Sequence, residues 1–486
     1  MYLGIDIGTS SVKSVLIDAS QRTVASASEA LVVSRPEAGW SEQDPETWWD
    51  ATIVTLDALA QSHPGEMAAV RGIGLSGQMH GATLLDETDA VLRPAILWND
   101  GRAGEECAEI ERRCPASRAI SGNIAMPGFT APKLAWVRKY EPAVFARVAK
   151  VLLPKDYVRL RLTGEYASDM SDSAGTLWMD VGRRDWSDDL LAATDLDRSH
   201  MPRLVEGTEV SGRVRSELSA RWGFAAPPVV AGGGGDNAAS ACGMGTITPG
   251  SAFVSLGTSG VLFVSNAGFS PNTENAVHAF CHAVPDTWHQ MGVILSATDS
   301  LEWLSRIFEK PAPDLIRDLG GLTPDPASVL FLPYLSGERT PHNDPHARGV
   351  FVGLGHETDR KSMTRAVLEG VAFAFRDCLS ALNAAGTDIE RATAVGGGSR
   401  SRLWLEILAT VLGRPVDIPK EGDFGAAFGA ARLGLIAAES VDPARICTPP
   451  AIETVIEPNA RHAEAYEAAY RKYRSLYPAI KEVFRS

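Results

Sequence analysis

Two carboxylates sit at the ends of apolar, strand-like runs, each beside glycine. The first is Asp6 in "LGIDIGTSSVKSVLID" (residues 3–18), where Leu3, Ile5 and Ile7 alternate as in a half-buried strand. A Gly8-Thr9-Ser10-Ser11 turn follows, and Val12 to Ile17 reads as a second strand, giving a hairpin. One reading is a surface hairpin with a solvated aspartate; the other is a loop whose N–H groups cradle phosphate while Asp6 holds a cation. The second carboxylate is Asp236 in "VVAGGGGDNAASACG", at the end of a buried strand. There it either caps the helix starting "NAASA" or stands at the mouth of an α/β cleft, where a base would face substrate. "GQMHG" at 77–81 adds Gln78 and His80, side chains able to bind hydroxyls, between glycines that permit close contact.

The surrounding elements must position these groups. Asp44-Pro45 caps and opens a helix carrying Trp49, Ile53, Leu56 and Ala60, which His63-Pro64-Gly65 ends. "VRGIGLSG" and "ATLLD" read as strands, so the first half is α/β. At 252–264, "AFVSLGTSGVLFV" repeats the opening pattern of strand, Gly-Thr-Ser turn and strand. Gly8 and Gly257 stand 249 positions apart, close to half the chain, which predicts two related domains facing one another. Two lobes that each offer a loop to one phosphate chain resemble the superfamily of actin, sugar kinases and heat-shock chaperones. In "AVGGGSRSRLWLEILATVLGRP" a strand ends in Gly396-Gly397-Gly398-Ser399, and a helix runs from about Arg402 to a stop at Gly413 and Pro415. Those glycines either let the backbone approach a base or ribose or form a flexible connection. A last helix is expected over about 459–483.

Composition excludes several classes. A formal charge of −14 argues against nucleic acid or an anionic membrane as partner, and no apolar run is long enough to span a bilayer. The chain enters a strand containing Asp6 at once, so no signal peptide is expected. Six scattered cysteines without a C-x-x-C pair read as reduced thiols of a cytoplasmic protein. No Gly-Lys dipeptide occurs, which excludes a Walker-type loop. "GIGLSG" at 72–77 fits G-x-G-x-x-G, but the "QMHGATLLD" after it does not read as a helix, so no dinucleotide site is expected. His278, Cys281 and His282 in "AVHAFCHAV" alternate like a strand and read as polar residues near a cleft rather than zinc ligands. Trp136, Trp303 and Trp404 fall in helical apolar patterns and read as core.

Over essentially its whole length the chain resembles the FGGY carbohydrate kinases. The motifs are "GIDIGTSSVK", "WSEQDPE", "GQMHGA", "AILWNDGR", "MPGFTAPKLAWV", "PKDYVRLRLTG", "SDMSDSAGT", "GGDNAA", "SLGTSG", "LPYLSGERTPHNDP" and "GGGSRS". The resemblance implies a two-domain actin-like, ribonuclease H-like ATPase fold, divided as 1–244 and 245–486, with the active site in the cleft between. It implies ATP-dependent phosphorylation of D-xylulose at the C5 hydroxyl, "QMHG" favouring xylulose over glycerol. Alternatives are a kinase for another ketose or polyol, or a catalytically weak sugar-sensing protein. In the implied site Asp236 is the general base and Asp6 organises Mg²⁺ through water. Met79, His80, Asp236 and Asn237, with Gln78 of the same segment, hold the sugar. Thr9, Ser10, Lys13, Gly257 and Thr258 surround the phosphates of ATP, and Gly397 and Gly398 approach the adenosine. A homodimer is compatible with the resemblance. Two departures stand out: the glycine run before Asp236 is one residue longer than usual, which either shifts the base or bulges. Ser362 replaces a larger polar residue and reads as a helix cap.

Overall fold

The computed structural model describes residues 1–320, 325–420 and 424–485. Its frame is a pair of seven-stranded mixed sheets. In the first, the strands Tyr2–Ile7, Ser11–Ile17 and Thr23–Ala30 form an antiparallel meander. Gly72–Gly77 and then Val229–Ala231 add in parallel to its inner edge, and Val210–Arg213 closes the order antiparallel. The second sheet repeats this plan. Ala252–Leu256, Gly260–Asn266 and Trp288–Ile294 make the meander, Ala392–Val395 and Val416–Pro419 add in parallel, and Ile452–Ile456 closes antiparallel. The duplicated Gly-Thr-Ser turn is therefore the first hairpin of each of two like sheets.

Local signals explain the flanking helices. Asp44 Oδ1 accepts from the Glu46 N–H at 3.0 Å, and Pro45 pre-sets the first turn of Pro45–Ser62. That helix buries Trp48, Trp49, Leu56 and Leu59 on the first sheet. Ser401 caps Arg402–Leu412, and Gly413, in the left-handed region at φ 64°, ends it. Trp136 and Trp404 are buried, and Trp303 stacks on Phe331 at 6.0 Å against the core. The last helix, Ala463–Ile480, packs in the core of the second sheet through Tyr466, Tyr470 and Tyr473. Ser362 is not the cap of Arg360–Ala384. Asp359 is the cap, and Ser362 lies three residues on, donating to Asp359 Oδ1 from its backbone N–H at 2.8 Å and its hydroxyl at 2.7 Å.

One helix crosses between the halves. Ala426–Glu439 follows a strand of the second sheet, yet it lies on the first. There a Cβ on Gly74 would fall 1.8 Å from the Ala430 carbonyl oxygen, and one on Gly4 the same distance from that of Ala427. Gly72 and Gly74 of "GIGLSG" thus let a helix backbone rest directly on a strand, and no helix follows the motif to hold a dinucleotide.

Candidate active site

The strand Gly72–Gly77 sets the register of both carboxylates. Asp6 pairs with Ser76 on one side, and Gly234 pairs with Ser76 on the other. Two strand spacings separate Asp6 from Gly234, about 10 Å. Asp236 follows Gly235, which pairs with Gly77. The long glycine run is absorbed before that point. Val230 faces Ile73 and Gly234 faces Ser76, so three residues oppose two. The extra residue forms a bulge at Gly233, whose φ of +81° and approach to the Leu75 carbonyl leave no room for a Cβ. The run bulges, and pairing is back in register at Gly234.

Asp236 is the first residue of the helix Asp236–Met244, whose cap is Gly235. Its Oδ1 accepts from the Asn237 backbone N–H at 2.7 Å and from Asn237 Nδ2 at 2.9 Å. Both partners lie on one oxygen, which leaves Oδ2 to the cavity. Burial raises the carboxyl pKa above its usual value, and the two hydrogen bonds from Asn237 oppose that only in part.

That cavity, about 390 Å³, gathers residues from both halves. Met79, His80, Asp236 and Asn237 line it from the first half, and Gly257, Thr258 and Ser259 from the second. His80 adopts a left-handed backbone, φ 70°, held by Lys133 Nζ (2.8 Å) and Thr130 Oγ1 (3.2 Å), which both donate to its carbonyl. Its ring Nδ1 donates to the Gly175 carbonyl at 2.6 Å. Burial, reinforced by the charges of Lys133 and Arg339, pushes the imidazole pKa down to about 3. His80 is therefore neutral at working pH, and its Nε2 is an acceptor for a hydroxyl.

Both turns have their carbonyls tied back. Gln43 Nε2 donates to the Thr9 carbonyl at 2.8 Å. Thr298 donates to the Gly257 carbonyl from its N–H (2.9 Å) and hydroxyl (2.8 Å), and Ala297 N–H donates to that of Thr258 at 2.8 Å. Loops held this way offer an anion their N–H groups rather than their oxygens. Trp98, a wall of the cavity, donates from Nε1 to Thr9 Oγ1 at 3.0 Å, so Thr9 stands at its edge. Ser10 is exposed on the same turn, and Lys13 lies opposite Asp6 in the hairpin.

Two expected ligands face elsewhere. Gln78, 3 % exposed, lies behind the first turn: its Oε1 accepts from Thr9 Oγ1 at 2.9 Å and its Nε2 donates to Gln43 Oε1 at 2.9 Å. Gly398 turns inward against Leu256 and Trp404, while Gly397 is open. Gly396 and Ser399 border a second cavity, about 680 Å³, with Ser240, Phe253, Lys420 and Phe424.

The sequence reading left Arg339, Phe280 and Trp98 without a role, although all three line the first cavity. Arg339 and Trp98 lay within motifs already noticed, "SGERTPH" and "AILWNDGR". His278 also lines the cavity, which fits a polar strand beside a cleft. Both ring nitrogens of His282 are spent on backbone, Nε2 with the Thr246 carbonyl (3.1 Å) and Nδ1 with the Val284 N–H (3.2 Å).

Residues 1–243 match the N-terminal domain of the FGGY family of carbohydrate kinases and residues 252–438 its C-terminal domain. A xylulose kinase of Escherichia coli is 50 % identical over 99 % of both chains, and one of Bacillus subtilis is 34 % identical over 99 % of this chain and 97 % of its own. Among solved structures, a xyloylose kinase from Brucella ovis superposes with a TM-score of 0.98 at 61 % identity, covering 99 % of each chain. A xylulose kinase from Rhodospirillum rubrum does so with 0.92 at 31 % identity, over the full length of both. With two like sheets, a Gly-Thr-Ser turn on each, and family matches that span both halves, the chain belongs to the FGGY family of carbohydrate kinases.

Proposed function

We propose that this kinase transfers the γ-phosphoryl group of ATP to the C5 hydroxyl of D-xylulose, giving D-xylulose 5-phosphate and ADP. The observation that carries the mechanism is the open Oδ2 of Asp236, on a carboxyl raised by burial, in one cavity with His80 and the Thr258 turn. A sugar hydroxyl is a very weak acid, so a carboxylate must take its proton as the new P–O bond forms, typically worth ~10²–10⁴-fold in rate. Asp236 is that base. His80, through Nε2, and Met79 hold the sugar chain, and Asn237 fixes the rotamer of Asp236 while its own Oδ1 faces the sugar. The turns around Thr9, Ser10, Gly257 and Thr258 hold the phosphates, and Lys13 adds positive charge. The second cavity, beside Gly397, is assigned to the adenosine. Gln78 serves this scheme as a brace behind the first turn.

The donor set also suits Mg²⁺, which keeps several waters and takes one or two carboxylates together with nucleotide phosphates. Asp6, at the end of its strand beside the phosphate turn, would hold it through water. When bound, the ion neutralises charge on the phosphates. The two lobes are taken as 1–244 and 245–486, with Ala426–Glu439 lent to the first sheet. Among the described residues no helix is long and apolar enough to cross a membrane. A cytoplasmic location is supported by the free thiols, and a homodimer, which the family resemblance allows, is tested by sedimentation.

The experiment is a coupled phosphorylation assay with Mg-ATP over a panel of pentuloses, hexuloses, polyols and sugar acids. D-xylulose is expected to give the highest kcat/KM, with the phosphate on C5. A higher value on glycerol or gluconate would replace the proposed acceptor while leaving the kinase chemistry in place.

A further inference from the structure

The acceptor cavity contains a cation, Arg339, that makes no salt bridge among the described residues and whose neighbouring carboxyl is Glu338 of the same segment. Arg339 follows Glu338, whose Oε1 accepts two backbone N–H groups, from Arg339 itself at 2.8 Å and from Leu295 at 3.1 Å. Burial pushes that carboxyl up to about 8. Thr340 fastens the segment to the strand Trp288–Ile294, donating from its N–H to the Val293 carbonyl and accepting the Val293 N–H at its hydroxyl, each at 3.0 Å. The backbone around Arg339 is thus fixed, and its guanidinium reaches the cavity wall.

What the guanidinium touches is an imidazole. Arg339 Nη1 donates to His278 Nε2 at 3.2 Å. His278 Nδ1 lies 3.1 Å from Asn123 Oδ1, and Asn123 Nδ2 donates to the carbonyls of Ser121 (2.8 Å) and Ala279 (3.0 Å). Asn123 is thereby oriented with its oxygen toward the ring. The Nδ1 of His278 carries the proton and Nε2 is the lone pair that receives Arg339. Burial and the neighbouring Arg339 charge keep His278 neutral. The guanidinium is therefore hydrogen-bonded to a neutral ring, and Glu338 acts on its charge only through space. A guanidinium has five N–H donors and no acceptor, and His278 uses one.

The form of the acceptor follows from its chemistry. This argument rests on the proposed phosphorylation of a 2-pentulose at C5. Ring closure of such a sugar consumes its C5 hydroxyl, so the form that reacts is open-chain and carries a free ketone at C2. A ketone oxygen accepts hydrogen bonds and donates none. A hydroxyl at the same place has a proton to dispose of. Beside Arg339 the His278 Nε2 lone pair is already taken, and Phe280, Met291 and Val293 are apolar walls. A ketone placed there is fully satisfied by donors alone, whereas a hydroxyl must also find an acceptor, and His278 Nε2 cannot be it.

We propose that Arg339, oriented by the Asn123–His278 chain, donates to the C2 carbonyl of the open-chain sugar and so selects ketoses over the corresponding polyols. Arg339 is a specificity residue; the proton transfer remains with Asp236.

The test compares wild type with Arg339→Met and Arg339→Lys. kcat/KM is measured for D-xylulose and D-ribulose, and Ki for xylitol and D-arabinitol as inhibitors of xylulose phosphorylation. Inhibition constants are readable even where a pentitol is not turned over. Arg339→Met is expected to lower kcat/KM for both ketoses about tenfold or more, the scale of a lost charge-assisted hydrogen bond, and to change pentitol Ki by less than threefold. Arg339→Lys, which keeps charge and donors, should fall between and covers the case in which the methionine variant does not fold. A parallel loss for ketoses and pentitols in either variant would mean a structural role and overturn the proposal. Unchanged ketose kinetics would overturn it as well. If wild type fails on D-xylulose but phosphorylates another acceptor, the fault lies with the proposed substrate, and that outcome is separate from the variant ratios.

Discussion

At the scale of single residues the site works through groups whose protonation is fixed in advance. Asp236→Asn keeps the shape and the hydrogen bond from the Asn237 N–H but removes the proposed base, so kcat should fall by ~10²-fold or more with KM for xylulose nearly unchanged. A purified variant with near-normal kcat would exclude the role. The raised carboxyl also has a stability consequence. An acid whose folded pKa lies above its unfolded value contributes stability at low pH that is lost as pH rises through the interval between the two. Asp236→Asn should therefore melt at or above wild type at pH 8, and the difference should shrink toward pH 3. Gln78 makes the opposite kind of prediction. Its partners are Thr9 and Gln43, so Gln78→Ala strands buried polar groups behind the phosphate turn. KM for ATP should rise about tenfold while KM for xylulose stays within twofold, the reverse of what a sugar ligand would give. Residue types alone could not separate these cases. Gln78 and His80 are both polar neighbours in one glycine-flanked segment, and only their partners tell brace from ligand. Asp6 and Asp236 could be singled out because each stands at a strand end beside glycine, although a solvated hairpin and a helix cap were equally compatible with the sequence. Arg339 could not be, since its role depends on Asn123, which lies more than two hundred positions away in sequence.

At the scale of elements, the strand Gly72–Gly77 carries the geometry. It stands between the strand of Asp6 and the strand that ends at Asp236, and every residue in it is buried. One face must admit the backbone of Ala426–Glu439. Gly74→Ala should therefore cost at least about 3 kcal/mol, because the added methyl meets a backbone carbonyl that cannot rotate away. Gly65→Ala is the matched control, with nothing within 4 Å and a helical position where alanine gains about 0.5–1 kcal/mol. Equal denaturation midpoints for the two variants would refute this account of the strand. The strands, their turns, the helix cap at Asp44 and the helix stop at Gly413 could be read locally, since each signal lies within a few residues of its effect. The purpose of the glycines could not, because the helix they admit arrives some 350 residues later. The bulge at Gly233 was likewise beyond local reading. A four-glycine run is compatible with either a displaced base or an absorbed residue, and the choice is made by pairing to Gly72–Gly77.

At the scale of the molecule, recurrence of one Gly-Thr-Ser turn at half the chain length was enough to foresee two like sheets. It did not disclose how they are joined. On one side the halves share a hydrophobic core, in which Met79, Met126 and Phe129 pack with Phe253, Phe280 and Met291. Hydrogen bonds reinforce that side: Asn123 Nδ2 donates to the Ala279 carbonyl at 3.0 Å and Trp288 Nε1 to that of Val181 at 2.8 Å. We expect relative motion of the sheets to pivot on that core and to keep the packing of Ala426–Glu439 on the first sheet, bringing the turns at Thr9 and Thr258 toward one another. In the proposed site, sugar held between His80, Asp236 and Arg339 would touch both halves and favour a closed state. By linkage nucleotide then binds more tightly with xylulose present, and xylulose more tightly with nucleotide by the same factor. Calorimetry with a non-hydrolysable ATP analogue should show a several-fold lower Kd in saturating xylulose, and solution scattering a smaller radius of gyration. Because the pivot is a packed core rather than a linker, the change in radius should be modest while the change in affinity is not. Superimposable scattering curves together with an unchanged Kd would defeat the closure mechanism, and the proposal of Asp236 as base would stand, since it rests on burial, hydrogen bonding and the shared cavity rather than on motion.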